Sequence, residues 1–202
     1  MGSSRRIVTV VAVISLWFGV MAPARATDND TDVHWHTAPL FRISTTFPNE
    51  WVDAVKRAAT EWRTSTRYNI DSGNRIATTG WRDETTHIIW HGTIPSQWQA
   101  DCPPGTTIAC TSTRYQTSDK HIIDADMVYS TEWTYSTDDL VCDLWGMVVP
   151  DVEFVALHEF GHFGGLVHTS DQAAVMYGTL VDCRRDLTAH DMNSMQANYP
   201  GH

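Results

Sequence analysis

One stretch constrains this chain more than any other: HEFGHFGGLVH, residues 158–168. His158 and His162 stand four positions apart, so on a helix their imidazoles lie on one face. Both rings can then reach a common point about 2 Å from one nitrogen of each. Glu159 follows the first histidine. The spacing therefore predicts a helix that presents two imidazoles, with a carboxylate beside them, to one metal ion.

A third ligand has to come from beyond the end of that helix. The next residue on the ligand face is Leu166, which cannot bind a metal, whereas Gly165 can take a positive φ without steric cost and end the helix. A bend there would return His168 to the first two imidazoles. Three histidines leave the fourth position of a zinc ion to water, which is typical of catalytic rather than structural zinc. By chance, a chain of this composition would carry the long pattern in about one case in 20,000.

Two later blocks give the chain a family resemblance. HTSDQAAVMY, residues 168–177, places Met176 eight residues after the third histidine, and LTAHDMNSMQANY spans residues 187–199. With the histidine motif they resemble the matrixin branch of the metzincin zinc metallopeptidases. The resemblance covers the last quarter of the chain well and the rest loosely. It implies an α+β catalytic domain with a mixed twisted sheet, two long helices above the cleft and a small lower subdomain with a C-terminal helix.

The resemblance also implies a function, that of a secreted zinc-dependent endopeptidase acting on peptides or proteins. His158, His162 and His168 would bind one zinc ion. A metal-activated water would attack the peptide bond, with Glu159 as general base. Two alternatives stay open: another metzincin family with a different specificity, and a zinc-containing protein that holds peptides without cutting them. The presence of Glu159 argues against the second alternative.

The segment after the third histidine is expected to shape the substrate pocket. Met176 should form a hydrophobic floor beneath the metal rather than bind it. Some matrixin-like relatives place a metal-binding tyrosine two residues later, but Gly178 occupies that position here. Tyr177, Thr179 and Leu180 are expected to wall the pocket for the residue after the cleaved bond.

The start of the chain has the layout of an export signal. Arg5 and Arg6 precede an apolar run over residues 7–21, and Ala24-Arg25-Ala26 offers a cleavage site with small residues. A membrane anchor is the alternative, but a run of about 15 residues is short for a span. A twin-arginine route is less favoured, because the following residues do not resemble that motif closely.

The expected division is a signal peptide at 1–26, a flexible leader at 27–39 and a catalytic domain at 40–202. The product would be an extracellular monomer. Its net charge would be about −13, because signal removal takes the basic count from 14 to 11 against 24 acidic residues. This charge disfavours nucleic acid and stable association with anionic membranes.

Four cysteines lie in the exported part, where oxidation is expected. Three pairings are possible in principle, and we favour Cys102 with Cys110 and Cys142 with Cys183. The first would close a short loop, and the second would tie the segment before the zinc helix to the segment after Met176. Zinc ligation by cysteine is less favoured, because no two cysteines have Cys-x-x-Cys spacing.

Hydrophobic periodicity predicts the elements before the motif. Residues 48–66 form an amphipathic pattern typical of a helix. Pro103, Pro104 and Gly105 favour a loop over 96–117. Residues 121–130 resemble the edge strand of the matrixin cleft, where a peptide substrate could add a strand. The other predicted strands are 40–47, 75–81 and 87–91.

Two further sets of residues could be considered as additional metal sites. Asp124 and Asp126 alternate on the predicted strand, and calcium ligation by them is a hypothesis set against a solvated face. His87, His91 and His121 lack the accompanying series of histidine and aspartate residues that is expected of a second, structural zinc site. We expect them to be surface or core histidines.

Overall fold

The computed structural model describes residues 7–15, 31–78, 86–138, 149–180 and 184–199, and for 7–15 it describes the backbone alone. These residues form a six-stranded sheet and three α-helices, an α+β arrangement. The strands are β1 (Ile7–Ser15), β2 (Leu40–Ile43), β3 (Asp71–Ser72), β4 (His87–Gly92), β5 (Thr107–Gln116) and β6 (Ile122–Ser130). The helices are α1 (Val52–Ser65), α2 (Val152–Phe163) and α3 (Ala189–Asn198). Within these ranges, no helix is both long enough and apolar enough to cross a membrane.

The sheet is mixed, with the strand order β1-β5-β6-β4-β2-β3. The four strands from β6 to β3 run parallel, whereas β5 runs antiparallel to β6 and β1 antiparallel to β5. β6 is confirmed as a strand, but the prediction that it forms the edge is wrong because it lies between β4 and β5. Without residues 7–15, whose removal as a signal peptide stays a prediction, β5 would be the edge.

The predicted loop over 96–117 is wrong for residues 107–116, which form the ten-residue strand β5. Residues 107–114 are buried throughout, so the strand shows none of the alternation that marks a half-exposed strand. Pro103, Pro104 and Gly105 belong to the turn that precedes it. The predicted strand over 75–81 is also not found in its described part, where Ile76 makes an isolated bridge to Ser44.

Helices α1 and α2 pack on one face of the sheet. α1 buries its predicted stripe against α2, and the indole Nε1 of Trp62 donates a 2.7 Å hydrogen bond to the carbonyl oxygen of Leu157. Every residue of α2 is buried, which explains why an amphipathic pattern is missing from the histidine motif. Asp151 caps this helix, since its Oδ1 accepts from the backbone N–H of Phe154 at 2.8 Å.

A smaller apolar cluster covers the opposite face of the sheet. Ile88 and Trp90 of β4 point into it, whereas Ile89 points to the main core, as the alternation predicts. The Cys102–Cys110 disulfide lies in this cluster and confirms the first predicted pairing. The second pairing, Cys142 with Cys183, falls outside the described residues.

The leader differs from the expected flexible segment over residues 31–39. Val33 and Trp35 are each 5% exposed, and the indole of Trp35 donates to the carbonyl oxygen of Phe163 at 2.8 Å. The backbone N–H of Thr31 donates to the side chain of Asn198. Two apolar residues in an acidic segment are enough to anchor it, which the lack of periodicity concealed. Residues 27–30 lie outside the described part.

The turn after α2 depends on a single glycine. Gly165 has φ +98°, and the N–H of Leu166 returns to the carbonyl oxygen of Gly161 at 2.9 Å, so the helix ends where the sequence predicts. The leader closes over this turn: a Cβ atom on residue 165 would overlap the carbonyl oxygen of Val33. No other residue type therefore fits.

We expect Gly165→Ala to lower the free energy of unfolding by roughly 3 kcal/mol or more, because the left-handed backbone and the overlap with Val33 both oppose a side chain. Gly105→Ala is the matched control. Gly105 also has a positive φ, of +82°, but a Cβ there meets nothing within 4 Å, so we expect a loss of about 1 kcal/mol. Denaturant unfolding would measure both, and equal losses would contradict the role of the close approach.

Candidate metal centre

Three imidazoles converge beside the end of α2. The Nε2 atom of His158 lies 3.0 Å from that of His162 and 3.2 Å from that of His168. These separations are close to the ~3.3 Å expected between nitrogens on a tetrahedral zinc ion. Among the residues whose positions are described, no other group of three His, Cys, Asp or Glu side chains comes as close together.

Backbone carbonyls fix which nitrogen of two rings is free. The Nδ1 atom of His158 lies 2.7 Å from the carbonyl oxygen of Val175, and that of His162 lies 2.8 Å from that of Leu166. A carbonyl can only accept, so Nδ1 carries the proton and donates it in both rings. Each Nε2 is then left with a lone pair directed at the cluster, which is the tautomer that binds a metal. The residues present therefore fit a zinc ion.

Burial keeps these ligands uncharged. It lowers the pKa of His158 to about 3, helped by the nearby His168, and lowers the pKa of His168 to about 4. Burial and the two neighbouring rings also hold the pKa of His162 well below its ordinary value. At neutral pH all three imidazoles are neutral, which is the form that donates a lone pair.

A turn from the lower part of the domain supports the histidines. Val175 supplies the carbonyl that holds His158, and Met176 is fully buried beside it, where a Cβ atom on Gly161 would overlap its sulfur. The carboxylate of Asp191 in α3 accepts from the backbone N–H groups of Val175 and Met176 at 2.9 and 3.1 Å. This role of Asp191 was not predicted from the sequence. The available signal was an acid near the start of a helical segment that follows the methionine block.

Glu159 lies within the same buried region. Its Oε2 accepts a 2.5 Å hydrogen bond from the hydroxyl of Thr111 on β5, and its Oε1 is buried with no partner among the described residues. Burial raises the pKa of Glu159 to about 8, and the hydrogen bond from Thr111 opposes that rise. A buried carboxylate with one partnerless oxygen, one residue after a metal-binding histidine, is chemically suited to accept a proton.

Comparison with known proteins agrees with this geometry. The family model for matrixins matches residues 41–200, which is most of the chain. The chain belongs to the matrixin family. Matrixins are zinc-dependent endopeptidases, consistent with the histidine triad. Metalloendoproteinase 2-MMP of Arabidopsis thaliana is 38% identical over 84 residues, which cover 41% of this matrixin and 21% of that relative. The matched stretch thus spans about a fifth of the relative's length.

The expected pocket residues of this matrixin follow the methionine. Tyr177 and Thr179 are partly exposed, and Leu180 is buried. Between them, Gly178 lies against a ligand, since a Cβ there would come within 2.8 Å of Nδ1 of His168. Residues 181–183 are not described, so the role of Tyr177, Thr179 and Leu180 stays a prediction.

The acidic pair on β6 is not solvated. Asp124 and Asp126 are each 1% exposed. The Oδ2 atom of Asp124 pairs with Arg114 at 2.7 Å, and its Oδ1 lies 3.2 Å from Nδ1 of His87. Asp126 accepts from the backbone N–H of Ile88 at 3.1 Å. The Arg114 guanidinium already compensates the charge of Asp124, so this geometry does not favour the calcium hypothesis.

Zinc binding should depend on all three histidines. We expect one zinc ion per wild-type chain and at least about 100-fold weaker binding by His168→Ala, because two imidazoles on one helix leave the ion half-coordinated. Competition with a chromogenic chelator measures both affinities. His190→Ala is the control, since His190 lies outside the Nε2 cluster. Unchanged affinity in His168→Ala would show that the third ligand lies elsewhere.

The metal-free protein should be most stable near pH 6.5. As the pH falls from about 8 to 6.5, folded Glu159 binds a proton that the unfolded chain does not, so stability rises. Below pH 6.5 the unfolded histidines bind protons, whereas folded His158 and His168 do not, so stability falls. Thermal unfolding after chelator dialysis tests this. In Glu159→Gln, stability should no longer change between pH 8 and pH 6.5, whereas the loss of stability below pH 6.5 should remain. An unchanged profile would contradict the assignment.

Proposed function

We propose that this chain is a secreted zinc-dependent endopeptidase that hydrolyses peptide bonds with Glu159 as general base. The observation that carries the proposal is the convergence of three imidazole nitrogens, with a buried carboxylate that has one partnerless oxygen one residue after the first histidine. His158, His162 and His168 would hold the ion. When bound, zinc supplies a Lewis acid that lowers the pKa of a water ligand and polarises the carbonyl to be cleaved.

Glu159 would carry the proton through the reaction. Its Oε1 is the carboxylate oxygen without a partner in the described structure, and it would take a proton from the attacking water. The same carboxyl group would then pass that proton to the departing amine. Burial raises the pKa of Glu159, which fits a group able to hold a proton between the two steps.

Strand β5 would position the substrate. Its side chains reach α2, as the Thr111 contact to Glu159 shows, and its outer edge accepts an extended segment in the described structure. β1 runs antiparallel there from Ile7 opposite Gln116 to Ser15 opposite Thr107. A peptide that added to the edge in this sense would pass residue 111, next to the general base.

Two features of the chain support secretion. The Cys102–Cys110 disulfide is typical of proteins that fold in an oxidising compartment, and the apolar run over 7–21 follows two arginines. We propose peptides or proteins as substrates and a monomer as the active form.

The central test is cleavage by the chain lacking residues 1–26. Incubation with a mixed protein digest, with and without a chelator, should give new cut sites by mass spectrometry that disappear when zinc is removed. Glu159→Gln should keep its zinc and its fold but lose at least about 1,000-fold in kcat, because the proton acceptor is gone. Chelator-resistant cleavage, or near-normal turnover by the zinc-loaded variant, would refute the proposal.

A further inference from the structure

Two threonines of β5 contact the zinc helix in the same way but reach different groups. Thr111 and Thr113 stand two positions apart and therefore share one face of the strand. The hydroxyl of Thr111 donates to Oε2 of Glu159 at 2.5 Å, and that of Thr113 donates to the backbone carbonyl of His162 at 3.0 Å. Both threonines are buried, with exposures of 0% and 4%. The hydroxyl of Thr111 also lies 3.4 Å from the backbone carbonyl oxygen of Glu159, so both threonines approach the helix backbone, but only Thr111 holds a side chain that can rotate.

The carboxylate of Glu159 has a single hydrogen-bond donor in the described structure. Its Oε1 has no partner, and its Oε2 accepts only from Thr111. A glutamate side chain has three rotatable bonds, so one contact largely decides where its oxygens lie. Because Thr111 occupies Oε2, the other oxygen is left to act as the base.

Thr111 also belongs to the strand that would form the edge of the sheet without residues 7–15. Thr111 lies opposite Ala12 in the pairing of β1 with β5, and opposite Met127 in the pairing with β6. A peptide that adds to this edge would therefore be aligned by the residue whose side chain holds the carboxylate. This arrangement ties the register of the substrate to the position of the base.

We propose that Thr111 is a positioning residue for the hydrolysis proposed above, whose hydroxyl holds Oε2 of Glu159 so that Oε1 stays free to accept the proton. The inference rests on that proposed function. It predicts that the hydroxyl, rather than the volume of the side chain, determines the rate of the chemical step.

Three variants separate these effects. Thr111→Val keeps the shape and removes the donor, and we expect kcat to fall about 10- to 100-fold while KM stays within about twofold. Thr111→Ser restores the donor and should recover most of that loss. Thr113→Val removes an equally buried hydroxyl from a backbone carbonyl, and we expect kcat to change by less than about threefold. Zinc stoichiometry should be the same in all three.

A crystal structure of zinc-loaded Thr111→Val gives a readout independent of turnover. We expect the Glu159 carboxylate to be rotated or to occupy two orientations. An unchanged carboxylate, a serine variant as slow as the valine variant, or equal losses in Thr111→Val and Thr113→Val would each overturn the inference. If the wild-type chain cut no peptide, the proposed function would fall, and the crystal structure would still decide whether Thr111 holds the carboxylate.

Discussion

The bend at Gly165 is the constraint on which the metal centre depends. A helix can supply two ligands to one ion, but the third has to return from outside it. The positive φ of Gly165 ends α2. The chain that follows brings the Nε2 atom of His168 to 3.2 Å from that of His158. The close cover by Val33 then excludes any larger residue. Steric fit at one position thus links the leader, the end of the helix and the third ligand.

The site was largely predictable because it is local in sequence. Two ligands lie on one helical face, and the third follows a glycine, so spacing alone locates His158, His162 and His168 with their intervening carboxylate. Helix α1 was predictable for a similar reason, since one of its faces is buried and the other is exposed. In both cases a short-range pattern carries the structural information.

Other features depended on contacts that spacing does not encode. For the residues of β5 the sequence predicts a loop, because burial on both sides removes the alternation of a half-exposed strand and a Pro-Pro-Gly turn precedes it. The role of Asp191 depends on α3 packing against the methionine turn, and the role of Thr111 on β5 crossing α2. The leader was expected to be mobile, although Trp35 reaches a carbonyl at the end of α2. All of these contacts join residues distant in the chain.

The hydrogen bond between Thr31 and Asn198 has a consequence for the folding of a newly made chain. It joins residues 167 positions apart, and it lies against the turn that forms the metal centre, because the hydroxyl of Thr31 also donates to the carbonyl oxygen of Gly165. A nascent chain therefore cannot form this hydrogen bond until residue 198 has left the ribosome, so full assembly around the histidines has to wait for helix α3.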